Sequence, residues 1–167
     1  AMLDHYASKN AMNIDGFSES TAQVLIERKN VTKFSDLYRL TAEDLAELEG
    51  FKEKKINNLL GSIEKSKTPK LDAFIYAIGV DGVGRVAAKD LAARFKGMEN
   101  LQNATAEELV SMENIGEITA NAIVVYFKDD GFSVGKKILS KPDKSLSETA
   151  FCVGVLLLFS PDSGRQP

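Results

Sequence analysis

The sequence predicts a mainly α fold of four tandem units, each a helix, a tight hairpin and a second helix, set as two pseudo-symmetric pairs. Three observations predict it. A five-residue pattern recurs without gaps at Ile14-Asp15-Gly16-Phe17-Ser18, Leu48-Glu49-Gly50-Phe51-Lys52, Val80-Asp81-Gly82-Val83-Gly84 and Met112-Glu113-Asn114-Ile115-Gly116, in steps of 34, 32 and 32 residues. Apolar residues follow each copy at the spacing of one helix face: Ala22, Ile56, Ala88 and Ala120, then Leu25, Leu59, Leu91 and Ile123, then Ile26, Leu60, Ala92 and Val124. The next position of the stripe holds Lys29, Ile63, Phe95 and Phe127, so only the first copy breaks it. Finally, an apolar residue precedes every hairpin by three places: Ala11, Leu45, Ala77 and Leu109. Agreement at so many fixed offsets argues against chance.

Taken in order, residues 3–12 predict a helix with Leu3, Tyr6, Ala7 and Met12 on its apolar side. The first hairpin follows, and its helix runs from about Glu19 to Lys29, where Asn30 can close it. Residues 31–40 form a connector with a short helical piece at 34–38. Thr41 opens the second unit as a capping residue, with Asp44 in place of the usual Glu three positions on. After the second hairpin, Glu53 to Lys65 makes a long helix, broken by Lys65-Ser66-Lys67-Thr68-Pro69-Lys70. This break joins the first pair, residues 1–66, to the second, residues 67–140.

Leu71 to Ile78 leads into the third hairpin, and Gly97 is expected to end the helix after it. A short helical piece spans 98–103, and Thr105 with Glu108 forms a capping box. Glu117 to Lys128 is the second helix of the fourth unit, with a further helix at about 132–139. Residues 141–167 read as a linker and a short C-terminal tail: 149–153 have strand character, 154–159 extend it, and 160–167 are polar and expected to be disordered.

The 167 residues suffice for a hydrophobic core in one or two domains. No apolar run is long enough to span a membrane, and the start does not read as a signal peptide. The single cysteine, Cys152, excludes an internal disulfide framework and a cysteine zinc cluster, and it fits a cytoplasmic protein. With His5 the sole histidine, a histidine-based triad or metal site is not expected. The formal net charge of −3 is low for a strongly basic nucleic-acid binder. It leaves room for one that binds through backbone N–H groups and a few placed cations.

The hairpins suit phosphate. Glycine lets backbone N–H groups turn toward an anion without a Cβ in the way, and the helix that starts there adds unpaired N–H groups and a positive dipole end. A single such turn is an ordinary helix–helix connection; four in register favour phosphate binding. The candidate contacts are Gly16, Phe17 and Ser18; Gly50, Phe51 and Lys52; Gly82, Val83 and Gly84; and Ile115 and Gly116. Only the third hairpin has both glycines, and Asn114 opens the fourth as a residue tolerant of left-handed backbone. Arg85 and Lys89 stand just past the third hairpin as assisting cations, as Lys54 and Lys55 do past the second, with Asn57 and Asn121 at the repeat position of Lys89. A solvated helix face is the plain alternative for each. Phosphate contacts carry no base code, so binding should be largely sequence-independent.

Tandem units opened by Asn10-Ala11-Met12-Asn13-Ile14-Asp15-Gly16 resemble the helix–hairpin–helix region of bacterial NAD-dependent DNA ligases. His5-Tyr6-Ala7-Ser8-Lys9 is similar to the segment after that family's zinc finger, and Asp36-Leu37-Tyr38-Arg39-Leu40 and Asn58-Leu59-Leu60-Gly61-Ser62-Ile63 also resemble it. The resemblance covers roughly residues 3–140. It implies a domain that grips nicked double-stranded DNA across the minor groove, and adenylation and OB domains upstream in the same parent chain. It further implies a BRCT domain beginning near Ser147, of which Phe151-Cys152-Val153-Gly154 resembles only the first strand. NAD, Mg and Zn would serve the parent enzyme through its other domains. No cofactor and no catalytic residue is expected in this segment. Two other readings stay open: a helix–hairpin–helix module of another repair protein, or a protein-interaction scaffold whose hairpins are only turns.

Overall fold

The apolar stripes, apart from the exposed Ile26, form the core of a computed structural model that describes residues 2–32 and 34–129. Ten helices follow one another among these residues: α1 (Met2–Ala7), α2 (Glu19–Lys29), α3 (Phe34–Leu37), α4 (Ala42–Ala46), α5 (Glu53–Lys65), α6 (Leu71–Ala77), α7 (Arg85–Phe95), α8 (Met98–Gln102), α9 (Ala106–Val110) and α10 (Glu117–Asp129). The fold is mainly α, as the periodicity requires. The stripe residues Leu25, Ile56, Leu59, Ile63, Leu91, Phe95, Ile123 and Phe127 join one continuous core. Each large side chain so buried stabilises by roughly 1.5–3 kcal/mol. Lys29, the one polar member of the stripe, stays at the margin and pairs with Glu47, with Asp44 4.0 Å away.

The helix ends follow their local chemistry. At Thr41 both bonds of a capping box form: Asp44 N–H donates to Thr41 Oγ1 at 3.2 Å, and Thr41 N–H donates to Asp44 Oδ2 at 3.0 Å. That backbone donor is the main reason the Asp44 carboxyl lies below its usual range. Thr105 and Glu108 repeat the box at 3.0 and 3.2 Å. Asn30 closes α2 in left-handed geometry, with φ +52°.

Two expected boundaries move. The first helix stops at Ala7 rather than continuing to residue 12. Ser8 turns back on it, its N–H and its hydroxyl both donating to the His5 carbonyl at 3.1 and 2.7 Å. This local side-chain bond competes with helix propagation, and Asn13 then takes φ +50° to lead into the hairpin. After α7, Lys96 and not Gly97 adopts the left-handed turn, at φ +60°. Gly97 is extended and caps α8 instead. The expected helix at 132–139 and the strand-like and polar tail lie outside the described residues.

The helix α1 touches both α2 and α6. His5 Nε2 lies 2.8 Å from the Tyr76 carbonyl, and the two rings meet edge-on at 4.7 Å. Beside them hydroxyls form a chain: Tyr6 to Tyr38 at 2.7 Å, Tyr38 to Ser66 at 2.9 Å, and Ser66 donating to the Ile63 carbonyl at 2.7 Å. Because Ser66 spends its proton on a carbonyl, Tyr38 donates to Ser66 and Tyr6 donates to Tyr38. Burial pushes both phenols above their usual range.

Candidate nucleic-acid interface

Each of the four recurring segments is a β-turn closed by one backbone bond at the same place. Phe17 N–H donates to Ile14 O at 3.3 Å, Phe51 to Leu48 at 3.2 Å, Val83 to Val80 at 3.0 Å and Ile115 to Met112 at 3.1 Å. In the first three the third residue is glycine with φ of +80°, +82° and +82°, the requirement of a type II turn. The helix then starts at one offset in all four: Ser18, Lys52, Gly84 and Gly116 accept its first bond through their carbonyls, from Ala22, Ile56, Ala88 and Ala120.

This closure changes what individual residues offer. By sequence, Phe17, Phe51, Val83 and Ile115 are candidate amide donors. Their N–H groups close the turns, and the side chains of Phe51, Val83 and Ile115 are buried with Phe17 packed against the same core. They anchor the hairpin from beneath. The groups left facing outward are the exposed Gly16, Ser18, Gly50, Lys52, Gly82, Gly84 and Gly116, whose N–H groups meet no acceptor among the described residues.

The four sites are unequal. Ser18 Oγ accepts from Thr21 N–H at 3.2 Å and contacts the Ser20 and Thr21 hydroxyls at 2.8 and 3.0 Å. The start of α2 is thus already capped by its own side chain. Lys52 leaves α5 without a side-chain cap, and Lys55 Nζ sits 4.0 Å over the Phe51 ring. The first turns of α2, α5 and α10 carry Glu19, Glu53 and Glu117, whereas that of α7 carries no acid. A carboxylate there offsets the positive helix end that an anion would use. The third hairpin keeps that end open, with Gly84 as an extended cap lacking any side chain, and Arg85 and Lys89 exposed.

Asn114 departs from expectation. It is not among the residues with positive φ; instead its Nδ2 donates to Asp90 Oδ2 at 2.6 Å. The third and fourth hairpins are therefore tied across to each other's helices, because Gly82 in turn lies against Thr119 of α10. Lys54, Asn57 and Asn121 are exposed. Sequence reasoning missed Val86 and Ile118, the second residues of α7 and α10, which are 65% and 88% exposed. Their signal was legible: both are apolar yet out of phase with the stripe.

No group of three or more metal-ligating side chains occurs among the described residues, nor a helix long and apolar enough to cross a membrane. The family described as the helix-hairpin-helix motif matches residues 73–134. Curated relatives include the DNA ligase of Clostridium tetani, 48% identical over 137 residues, which is 82% of this chain and 20% of that protein. DNA ligase 1 of Clostridium acetobutylicum is 46% identical over 151 residues, 90% of this chain and 21% of that protein. The DNA ligase of Alkaliphilus metalliredigens is 52% identical over 126 residues, 75% of this chain and 19% of that protein. The chain thus spans about a fifth of the length of the curated relatives it matches. Over three quarters or more of its length it is homologous to a segment of bacterial DNA ligases, and within residues 73–134 it carries the helix–hairpin–helix motif.

Proposed function

We propose that this chain is the C-terminal DNA-binding segment of a bacterial NAD-dependent DNA ligase. It holds nicked duplex DNA through phosphates flanking the minor groove while the rest of the parent chain seals the break in replication and repair. It carries no catalytic residue of its own; adenylation and OB domains of the parent, with NAD, Mg and Zn, supply the chemistry in the cytoplasm.

One observation carries this reading. Four turns, each closed by the same backbone bond, leave the N–H groups on either side of the closing residue on exposed positions, with no acceptor among the described residues. Phosphate oxygens are the acceptors such donors suit. Two hairpin pairs would follow the two sugar–phosphate rails, which explains why a chain of net charge −3 can bind a polyanion. The homologues named DNA ligase favour duplex DNA over other anions.

Gly84→Asp tests it. A Cβ at Gly84 meets nothing within 4 Å, and Asp is a favoured residue at a helix start. The folded state should therefore keep its melting temperature or gain slightly. A carboxylate at the phosphate position should weaken binding of nicked duplex by about tenfold or more. Unchanged affinity in the folded variant would remove the third hairpin from the interface.

A further inference from the structure

Val86 and Ile118 are the two most solvent-exposed of the large apolar side chains described as exposed, at 65% and 88%. They occupy one repeat position, six residues past the start of hairpins three and four. The first two units hold Ser20 and Lys54 there. Each stands two residues beyond Gly84 or Gly116, where the outward N–H groups lie. The Gly82–Thr119 and Asn114–Asp90 contacts tie hairpin three to α10 and hairpin four to α7. A β-branched side chain on a helix is already confined to few rotamers, so holding it in an interface costs little entropy.

Resting on the DNA-binding reading above, we propose that Val86 and Ile118 pack on the apolar C–H faces of deoxyriboses lining the minor groove, beside the phosphates held by hairpins three and four. The occupant follows from continuity. On a duplex the group next to a bound phosphate, toward the groove, is its sugar. A lysine or an acid at this position would read charge; an exposed valine and isoleucine read an apolar surface. The second pair of hairpins therefore draws affinity from a contact that releases no counterions, while the first pair, with Ser20 and Lys54, does not. The two halves grip by different physics.

The test is the double variant Val86→Thr/Ile118→Thr in the full 167-residue chain, titrated with nicked duplex across a salt series beside a urea melt. Threonine keeps the branching and puts a hydroxyl in place of an apolar branch, and both sites are exposed, so the fold should persist. Affinity should fall about tenfold at every salt concentration, leaving the slope of log K against log[salt] unchanged. Arg85→Gln, by contrast, should flatten that slope by about one. Wild-type affinity in the double variant overturns the sugar contact and leaves the DNA-binding reading standing. A loss that appears only at low salt overturns it too, by showing an electrostatic effect. No binding by the unaltered chain overturns the reading on which it rests.

Discussion

Replacing Gly82 with alanine separates two costs that the repeat pattern treats as one. Gly16, Gly50 and Gly82 share a φ of +80° to +82°. An L-residue there is strained by about 1–2 kcal/mol, partly offset by about 0.4–1 kcal/mol from the stiffer unfolded chain. Gly16→Ala and Gly50→Ala should thus cost about 1 kcal/mol, because an added Cβ meets nothing within 4 Å at either position. At Gly82 the same Cβ would sit 2.5 Å from Thr119 Oγ1 and 3.3 Å from Thr119 Cβ and Cγ2. Threonine has no long stem to swing away, and rotating χ1 only exchanges one branch for the other. Overpacking of this kind adds about 1–3 kcal/mol, so Gly82→Ala should cost about 2–4 kcal/mol in total. Urea unfolding of the three variants, at constant m-value, reads the difference. Adding Thr119→Ala to Gly82→Ala should recover most of the excess, a coupling that independent sites would not show. Equal losses at all three glycines would refute the packing of hairpin three on α10.

Further predictions concern the caps, the joint and pH. Ser18→Ala should cost about 1 kcal/mol through the lost cap of α2, read by thermal melting. Tyr6→Phe removes the first donor of the hydroxyl chain and should cost about 1 kcal/mol, again by urea melt, with DNA affinity unchanged. The folded state holds the Tyr6 and Tyr38 phenols above their usual range, chiefly by burial. Its advantage from keeping them neutral is complete below the ordinary tyrosine range near pH 10. It is lost as pH climbs from there toward the raised folded values. Stability measured against pH should therefore decline on the alkaline side, and less steeply in Tyr6→Phe.

Much of this architecture was legible in the residues because it is local. The turn positions, the helix-face stripes, the boxes at Thr41 and Thr105 and the close at Asn30 each depend on neighbours within a turn or two of helix. What escaped depends on particular bonds or on packing between units. Ser8 ends α1 through a hydroxyl that a periodicity argument does not weigh. Lys96 takes the left-handed turn, and Gly97 follows as the extended start of α8. The N–H groups of Phe17, Phe51, Val83 and Ile115 close the turns, and a motif does not say which amide does so. The ties from Gly82 to Thr119 and from Asn114 to Asp90 cross between units, beyond the reach of a repeat period.

The most direct test of a grip made by main-chain amides is the salt dependence of nicked-duplex binding by the unaltered chain. Amides displace few counterions, so log K should fall with log[salt] at a slope of about −2 to −4. A slope steeper than about −6 would assign the hold to lysine and arginine side chains, and failure to bind at low salt would leave the hairpins as turns alone.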